Sequence, residues 1–319
     1  MRFRCTLLLI SLLLLNACSQ PSQLDQIKQR GELNVLSRYS HTSYYKKGEH
    51  YAGLEYDLAQ LFAQQLGVKL NIIIPDNLSN MLHLLERGHA DIAAAGLTVT
   101  PEREKFLIFG PVYQEVTQQL IYRQGNRRPK NLPALSGSLF EVVVDSSHVE
   151  QLKQHQLEVP SLQWDENKQL DSSHLLELVQ LEMIDYTIAD SNEIAAQQNF
   201  FPELRVAFDI SDPQPLAWAM NRTEDNSLYD AVDDFFEELA TSGKLDRLNE
   251  KYYGHIRRFD YVDTRALYRK IITELPSYQR LFQQAASKFN LDWRLLAAIS
   301  YQESHWNPKA ISHTGVKGL

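Results

Sequence analysis

The chain has 319 residues, of which 44% are hydrophobic and 23% are charged, and its formal net charge is −8. This composition is that of a globular protein, and it excludes a disordered chain, a fibrous repeat and a polytopic membrane protein. The acidic balance gives no general reason to expect nucleic acid as a partner. The charge is uneven, because residues 265–319 hold eight basic and three acidic residues, a local charge of +5. The length and this charge step predict two modules.

The N-terminal segment has the pattern of a secretion signal. Two arginines precede an apolar run at residues 7–15, which has the size of a signal-peptide core and is shorter than the roughly 20 residues of a membrane span. The run ends in Leu-Asn-Ala-Cys18, which resembles a bacterial lipoprotein cleavage box. The resemblance implies that residues 1–17 are a signal peptide and that acylated Cys18 starts a lipid-anchored linker, 18–30. Because Ser rather than Asp follows Cys18, the implied location is the inner leaflet of the outer membrane, at its periplasmic face.

From Gly31 the hydrophobic pattern alternates between strand and helix. Short apolar runs predict strands, apolar residues at helical spacing predict helices, and Gly67 and Gly88 are helix stops. The predicted order is strand 33–36, helix 56–66, strand 68–74, helix 78–85 and strand 91–96. This β-α-β-α-β order predicts an α/β fold with a parallel sheet covered by helices.

The stretch after the last of these strands gathers groups that bind a carboxylate. Thr100 has the position of an N-cap and Pro101 that of a first helical residue, so a helix is predicted to begin there. Thr98 adds a hydroxyl and Arg103 a guanidinium near that helix N-terminus. A bidentate guanidinium and the positive end of a helix dipole both favour a bound carboxylate.

A second candidate is Asp190, which ends a predicted buried strand at residues 186–189. A carboxylate at the C-terminal end of such a strand faces the crevice of an open α/β sheet. It is therefore placed to bind an ammonium group, and a neighbouring acid such as Asp145 is an alternative for the same role. Three tyrosines that follow the first strand are candidate walls of the pocket, with packing against other residues as the alternative: Tyr39, Tyr44 and Tyr45.

Four segments resemble the periplasmic solute-binding proteins of the amino-acid type: residues 53–58, 91–103, 109–113 and 185–191. The resemblance covers residues 31–256 and implies a two-lobed periplasmic solute-binding fold that closes around a ligand. It implies that Arg103 clamps the ligand carboxylate, that Thr98 assists and that Asp190 takes the ligand ammonium. The implied ligand is a small amino acid, a peptide or a muropeptide.

Helical spacing returns in the basic C-terminal segment. Residues 257–264 are predicted to be a linker, and residues 265–319 to form a second domain. Within this domain a helix is predicted over residues 293–303, because Asp292 is placed to cap its first turn. The helix must end before Pro308, since the residue that precedes a proline disfavours the helical conformation.

Glu303 is the notable acid of this helix. Leu295, Leu296 and Ile299 form its apolar stripe, and Glu303 lies four residues after Ile299. Glu303 is therefore expected on or beside the side that faces the core. A carboxyl sheltered in this way is suited to general acid catalysis. The alternative is a solvated glutamate at the end of a helix.

Two segments resemble the catalytic motif of soluble-lytic-transglycosylase-like domains: residues 297–308 and 312–319. The resemblance implies an all-α, goose-lysozyme-like fold in which Glu303 protonates the bridging oxygen after N-acetylmuramic acid. The same carboxylate then accepts the proton of the C6 hydroxyl of that sugar, and a 1,6-anhydro end forms without water. Ser304 would steady Glu303, and a turn that contains Gly315 and Gly318 would line the sugar groove.

These resemblances predict a peptidoglycan lytic transglycosylase that carries a ligand-binding regulatory domain. The predicted substrate is the MurNAc–GlcNAc bond of glycan strands, and no metal or cofactor is expected. Because the family's motif is followed by several more helices, residues 265–319 are expected to be the N-terminal part of an incomplete domain. Two alternatives stay open: a non-catalytic amino-acid- or peptide-binding lipoprotein or sensor, and a lysozyme-type hydrolase. The chemistry of the new sugar ends distinguishes the hydrolase.

Overall fold

The computed structural model describes residues 21–198, 200–254, 267, 269–308 and 310. The larger of its two compact units contains residues 21–197 and 203–253, and the other contains residues 198, 200–202 and the described residues from 254 on. Several predictions lie outside the described residues: the signal peptide, Cys18, the linker at 257–264, Gly315 and Gly318. Within the described ranges, no helix is long and apolar enough to cross a bilayer.

The larger unit has two lobes, and lobe 1 is built on a five-stranded sheet. Its strands are β1 (Glu32–Leu36), β4 (Lys69–Ile73), β5 (Ile92–Ala93), β6 (Leu107–Val116) and β12 (Gln214–Asn221), with a hairpin of β2 (Tyr45–Lys47) and β3 (His50–Ala52) beside them. Its helices are α1 (Gln23–Arg30), α2 (Leu54–Leu66), α3 (Leu78–Glu86), α7 (Ser227–Thr241) and α8 (Lys244–Asn249). The sheet order is β4-β1-β5-β12-β6, in which β1 is parallel to its neighbours and β12 is antiparallel to both of its own.

The five predicted elements of this lobe are present in the predicted order. The helix boundaries differ from those predicted by one or two residues, but the strand predicted at 91–96 is reduced to Ile92–Ala93. Residues 95–98 line a crevice, and Thr98 keeps only an isolated bridge to Leu216 of β12. Trp218 on β12 fixes the sheet against α2 and α7, because its 1% exposed ring lies 4.9–5.8 Å from those of Phe62, Phe235 and Phe236.

Lobe 2 is continuous in sequence and has a hydrophobic core of its own. Its strands are β7 (Gln118–Arg123), β8 (Glu141–Val143), β9 (Asp165–Asn167), β10 (Thr187–Asp190) and β11 (Leu204–Asp209). Its helices are α4 (Ser147–Glu158), α5 (Ser172–Gln180) and α6 (Ser191–Gln197). An antiparallel sheet has the order β10-β7-β11, and β8 pairs in parallel with β9. The core is formed by Leu120, Phe140, Val142, Leu152 and Ile188, among others.

The chain crosses between the lobes twice. Thr117 alone separates β6 from β7, and residues 210–213 return the chain from β11 to β12. Two α/β lobes joined by paired crossings form a hinged fold that closes around a ligand. The predicted two-lobed α/β fold is thus confirmed.

The C-terminal unit is helical, as predicted, and it includes α9 (Leu275–Phe289) and α10 (Trp293–Ser304). Its small core is formed by Phe282, Ala297 and Trp306, with partly buried residues around them. Asp292 caps α10 by accepting the N–H of Arg294 at 2.9 Å. The helix ends at Ser304, before Pro308 as predicted, and His305 and Trp306 follow it in the left-handed conformation.

The predicted apolar stripe of α10 is only partly present, because Leu296 packs against the small core while the other two residues of the stripe do not. Leu295 and Ile299 are each 51% exposed, and Glu303 is exposed as well. Ala297 and Ser304 are buried instead. These two residues are seven positions apart and therefore lie on one side of the helix, which is the side that packs in this unit. The small residues Ala297 and Ser304 permit a close approach, whereas the prediction assigned the buried side from the bulky residues alone.

Candidate functional site

A cavity of about 310 Å³ lies between the two lobes of the larger unit. It is lined by polar side chains from both lobes, including Arg38, Thr98 and Arg103 of lobe 1 and His148 and Asp190 of lobe 2. Its size is at the lower end of the range found for small-molecule sites. Three of the binding residues predicted from the sequence, Thr98, Arg103 and Asp190, thus line one cavity.

Arg103 is 4% exposed, and backbone carbonyls of both lobes hold its guanidinium. Nη1 donates to the carbonyl oxygen of Thr98 at 2.9 Å, and Nη2 donates to that of Asp145 at 3.2 Å. The buried Nε has no partner among the described residues. Burial lowers the pKa of Arg103, and the charges of Glu150 and Asp190 oppose that effect. Arg103 therefore brings the positive charge of a buried guanidinium to the cavity wall.

The helix predicted to begin at Thr100 is absent. Thr100 Oγ1 does accept the N–H of Arg103, at 3.3 Å, but only a single 3-10 turn follows, at Arg103–Lys105. The chain then enters β6 at Leu107, and the long strand overrides the local capping pattern. A turn of three residues supplies no helix dipole, so Arg103 must act without one from its own lobe.

The helix N-terminus at the cavity belongs to α4, in lobe 2. Ser146 caps this twelve-residue helix by accepting the N–H of Val149 at 3.4 Å, and Ser146, Ser147 and His148 all line the cavity. Ser147 Oγ lies 3.2 Å from Thr98 Oγ1, which brings the two lobes together at this point. The first N–H groups of a helix have no partner within the helix, and they favour an anion. The sequence signal was the pair Ser146-Ser147, because serine is a preferred N-cap residue.

Asp190 lies at the end of β10 and is 5% exposed, as the strand-end argument predicts. Its Oδ1 is 3.1 Å from Nε2 of His148. The alternative acid, Asp145, is exposed and is not among the cavity-lining residues, and its carboxylate accepts the hydroxyl of Ser79. Of the two acids, only Asp190 faces the cavity.

Two charged residues of the cavity, Arg38 and Glu193, escaped the sequence analysis. Arg38 follows β1 and donates from Nε to the carbonyl oxygen of Ala95 at 2.9 Å, while its Nη2 forms an ion pair with Glu193 on α6. Burial alone would lower the pKa of Arg38, but the carboxylates of Glu193, Asp171 and Asp190 raise it. This ion pair joins the lobes across the cavity.

Tyr44, predicted as a wall of the pocket, does not line the cavity. Its 8% exposed ring stacks on Tyr51 at 4.7 Å and on Tyr39 at 5.5 Å between centroids. Tyr39 lines the cavity instead. Of the candidate tyrosines, Tyr39 thus lines the cavity, whereas the packing alternative holds for Tyr44, because the residues after β1 form a turn that directs it toward the hairpin.

Glu55 is a buried carboxyl behind the cavity wall, in the first turn of α2. It accepts the N–H of Gly96 and of the Trp218 indole, both at 2.8 Å, and the hydroxyl of Tyr113. Burial raises the pKa of Glu55, and these three donors oppose the shift only in part. Gly96 lines the cavity, so Glu55 positions part of its wall.

Replacement of Glu55 by glutamine is expected to change the pH dependence of stability. A carboxyl whose pKa is raised on folding stabilises the folded state most at pH values below its unfolded pKa, about 4.3. That stabilisation is lost as the pH rises through the folded pKa. From pH 4.5 to 7.5 the free energy of unfolding of the parent chain should therefore fall relative to that of Glu55→Gln. Urea denaturation at both pH values measures this, with exposed Glu158→Gln as the control. If the free energies of unfolding of parent and variant differ by the same amount at both pH values, the raised pKa of Glu55 is refuted.

In the C-terminal unit the structure describes two of the predicted catalytic residues. Glu303 is exposed in the last turn of α10, and the adjacent Ser304 is buried and donates from Oγ to the carbonyl oxygen of Ser300 at 3.1 Å. Trp306 packs on Tyr301 and donates from its indole to the carbonyl oxygen of Ala297 at 2.8 Å. The helix end that presents Glu303 is therefore anchored by a buried tryptophan.

The two hinged α/β lobes and the polar cavity between them define a bacterial solute-binding fold. The family model for bacterial extracellular solute-binding proteins, family 3, matches residues 24–255, and the chain belongs to this family. Solved structures share the fold. They include the P235GK mutant of ArgBP from T. maritima (TM-score 0.65, 23% identity, 72% of this chain and 99% of that one) and the ancestral amino acid-binding protein AncCDT-1 (TM-score 0.64, 24% identity, 73% and 100%).

A second family model, the transglycosylase SLT domain, matches residues 280–319. The chain is also similar to curated proteins named membrane-bound lytic murein transglycosylase F. That of Aliivibrio fischeri is 44% identical over 326 residues, which cover 100% of this chain and 66% of the relative. That of Alkalilimnicola ehrlichii, numbered 1, is 44% identical over 297 residues, which cover 93% of this chain and 60% of the relative. The chain thus spans a little under two thirds of the length of these relatives.

Proposed function

We propose that the chain is part of a peptidoglycan lytic transglycosylase with a regulatory ligand-binding domain. The observation that carries the proposal is the match of residues 280–319 to the transglycosylase SLT domain, in a chain otherwise similar to lytic murein transglycosylases over nearly its whole length. Glu303 lies within the matched residues, at the exposed end of a helix that Trp306 anchors. An exposed carboxyl is accessible to a polymeric substrate.

Glu303 acts first as an acid and then as a base. Its carboxyl donates a proton to the oxygen that bridges MurNAc and GlcNAc, the bond from MurNAc C1 to that oxygen breaks, and GlcNAc leaves with a free 4-hydroxyl. The Glu303 carboxylate then takes the proton of the MurNAc C6 hydroxyl, and O6 bonds to C1. The proton that was given is recovered, no water is consumed, and the product ends in 1,6-anhydroMurNAc. Ser304 steadies the helix end that presents Glu303.

The cavity of the larger unit binds a small amino acid, peptide or muropeptide. The ligand carboxylate lies against the guanidinium of Arg103 and the N-terminus of α4, and Thr98 contributes its hydroxyl beside them. Asp190 receives the ligand ammonium. Buried charge-assisted hydrogen bonds of this kind are shorter and stronger than neutral ones, and they fix the orientation of a zwitterion.

The protein is held at the periplasmic face of the outer membrane by a lipid on Cys18. Two observations support this anchor: the sequence before Cys18 and the word membrane-bound in the names of the relatives. Several acyl chains anchor a protein stably, whereas a single one gives only marginal binding. The anchor places the enzyme beside the glycan strands.

The end groups of the cleaved glycan test this proposal. Purified peptidoglycan is incubated with the protein expressed from its gene, and the new ends are identified by mass spectrometry before and after borohydride reduction. We expect 1,6-anhydro ends, which are lighter by one water and resist reduction. New reducing ends would identify a hydrolase. No cleavage by the folded protein would favour a non-catalytic binding lipoprotein, a function that the interlobe cavity supports by itself.

A further inference from the structure

Lobe 2 carries a cavity of its own, of about 440 Å³, which shares no lining residue with the interlobe cavity. Residues 137, 138 and 140, before β8, form part of its lining, and residues 163–166 and Gln156 of α4 form the rest. Its size is within the range found for small-molecule sites. No step of the proposed function uses this lobe 2 cavity.

Hydrogen bonds to the backbone hold the two sides of the lobe 2 cavity in place. The N–H of Asp165 donates to the carbonyl oxygen of Phe140 at 2.8 Å, where the parallel pairing of β8 with β9 begins. Gln156 Nε2 donates to the carbonyl oxygen of Leu162 at 2.8 Å, which ties the segment before β9 to α4. Phe140 and Leu162 both belong to the core of lobe 2. The core therefore fixes the walls, and binding requires little ordering of the backbone.

Trp164 gives the lobe 2 cavity an aromatic surface. It is partly buried and packs against the core of lobe 2, and its indole N–H makes no hydrogen bond within the described residues. Tryptophan combines a large apolar face with one N–H donor. A β-linked glucose-type ring has its substituents in equatorial positions, so its axial C–H bonds form apolar faces that stack on such a surface. The indole N–H is then available to a sugar hydroxyl.

The polar side chains next to Trp164 match the rim of a sugar ring. Gln163, Asp165 and Glu166 are exposed, and their side chains make no hydrogen bond or ion pair in the part of the chain that the structure describes. A carboxylate only accepts, and its hydrogen bonds from hydroxyl groups are short and strong. A primary amide both donates and accepts, as an N-acetyl group does.

The charge of this lining disfavours an anionic ligand. It includes two carboxylates, and none of the lining residues is Lys, Arg or His. The interlobe cavity differs, because it contains the guanidinium groups of Arg38 and Arg103. Of the two sugars of peptidoglycan, MurNAc carries a lactyl group and a stem peptide, whereas GlcNAc is uncharged and unbranched. GlcNAc is therefore the sugar that fits the lobe 2 cavity.

We propose that the lobe 2 cavity binds a GlcNAc residue of a glycan strand. The ring stacks on Trp164, its hydroxyls donate to Asp165 and Glu166, and its N-acetyl group pairs with Gln163. The inference rests on the proposed function only for the choice of GlcNAc among uncharged sugars. A strand held here has a raised effective concentration at the chain that carries Glu303.

Titration of the full chain with N,N′,N″-triacetylchitotriose, an uncharged trimer of GlcNAc, tests the inference. We expect saturable binding in isothermal titration. Glu166→Gln and Gln163→Ala should each weaken it by about three- to tenfold, and Trp164→Ala by roughly tenfold or more, because each removes a hydrogen-bonding group or the stacking surface. The matched controls are Glu158→Gln and Gln154→Ala, which are exposed on α4 and do not line the cavity. Both should keep the parent affinity.

Two results would overturn the inference. If the trimer binds the parent chain, Glu166→Gln and Gln163→Ala with equal affinity, its site lies elsewhere. If the trimer does not bind a chain that circular dichroism shows to be folded, the lobe 2 cavity is no sugar site, and trilysine then tests whether its carboxylates bind a cationic peptide instead. The two exposed variants decide the matter even where Trp164→Ala fails to fold.

The end groups of cleaved peptidoglycan separate this inference from the proposed function. Anhydro ends together with either overturning result leave the transglycosylase intact and remove only the sugar site on lobe 2. Reducing ends, or no cleavage, together with trimer binding that Glu166→Gln and Gln163→Ala weaken, refute the transglycosylase and leave the sugar site.

Discussion

Replacement of Glu303 by glutamine is expected to lower the rate of glycan cleavage by about 10²–10⁴-fold, the usual contribution of a positioned general acid or base. Glutamine has nearly the shape of glutamate but neither donates a carboxyl proton to the leaving oxygen nor accepts one from the C6 hydroxyl. Glu303 is exposed at the end of α10, so its replacement should leave the fold intact. A lower rate of cleavage then reports on catalysis. The measurement is the release of anhydromuropeptides from purified peptidoglycan.

Glu274→Gln is the matched control for this variant. Glu274 lies at the start of α9 in the same unit, and its side chain makes no capping hydrogen bond to that helix. It should retain the parent rate. If Glu303→Gln cleaves glycan at the parent rate and with the same anhydro ends, the acid is another residue and the proposed mechanism fails.

Replacement of Arg103 by alanine is expected to weaken binding of an amino-acid ligand by on the order of 10²–10³-fold. Truncation of one partner of a buried, hydrogen-bonded charge pair costs about 2–5 kcal/mol. The variant also loses the hydrogen bonds that join Arg103 to the carbonyl oxygens of Thr98 and Asp145. Arg103→Lys should recover only part of the affinity, because lysine keeps the charge but not the planar fork of donors.

Lys105→Ala is the control for Arg103→Ala. Lys105 lies on the same 3-10 turn, but it is exposed and pairs with Glu102. Isothermal titration should give it the parent affinity. Unchanged affinity in a folded Arg103→Ala would refute the carboxylate site at this position, whatever the ligand.

The hydrophobic pattern was sufficient to predict the first strands and helices of lobe 1, whereas the two-lobed fold was predicted from the resemblance to solute-binding proteins. Strands and helices of lobe 1 followed from local spacing, and Asp190 followed from its place at the end of a buried strand. The predictions that were wrong failed because tertiary structure overrides local sequence signals. Thr100 and Pro101 have a good capping pattern, yet β6 begins at Leu107 and leaves room for only one turn. A local signal cannot register how soon the next strand of a sheet must start.

The ion pair of Arg38 and Glu193 illustrates the second limit of sequence reasoning. Each residue is a single charge in an unremarkable local context, and their meeting depends on closure of one lobe on the other. Glu303 illustrates a third limit. A glutamate four residues after an isoleucine was assigned to the buried side, but Ala297 and Ser304 occupy that side. Small residues that permit close packing are weak signals in a hydrophobic pattern.

The position of β12 sets the order in which the larger unit can be completed during synthesis. β12 lies between β5 and β6 in the lobe 1 sheet, yet the whole of lobe 2 precedes it in the chain. A nascent chain that has emerged as far as β6 therefore has a gap in its central sheet, with unpaired strand edges at β5 and β6. Lobe 2 is contiguous and can fold in that interval, which shortens the path back to lobe 1. Lobe 2 can therefore be complete before lobe 1. The lobe 1 sheet is complete only after the synthesis of β12, the strand that carries Trp218.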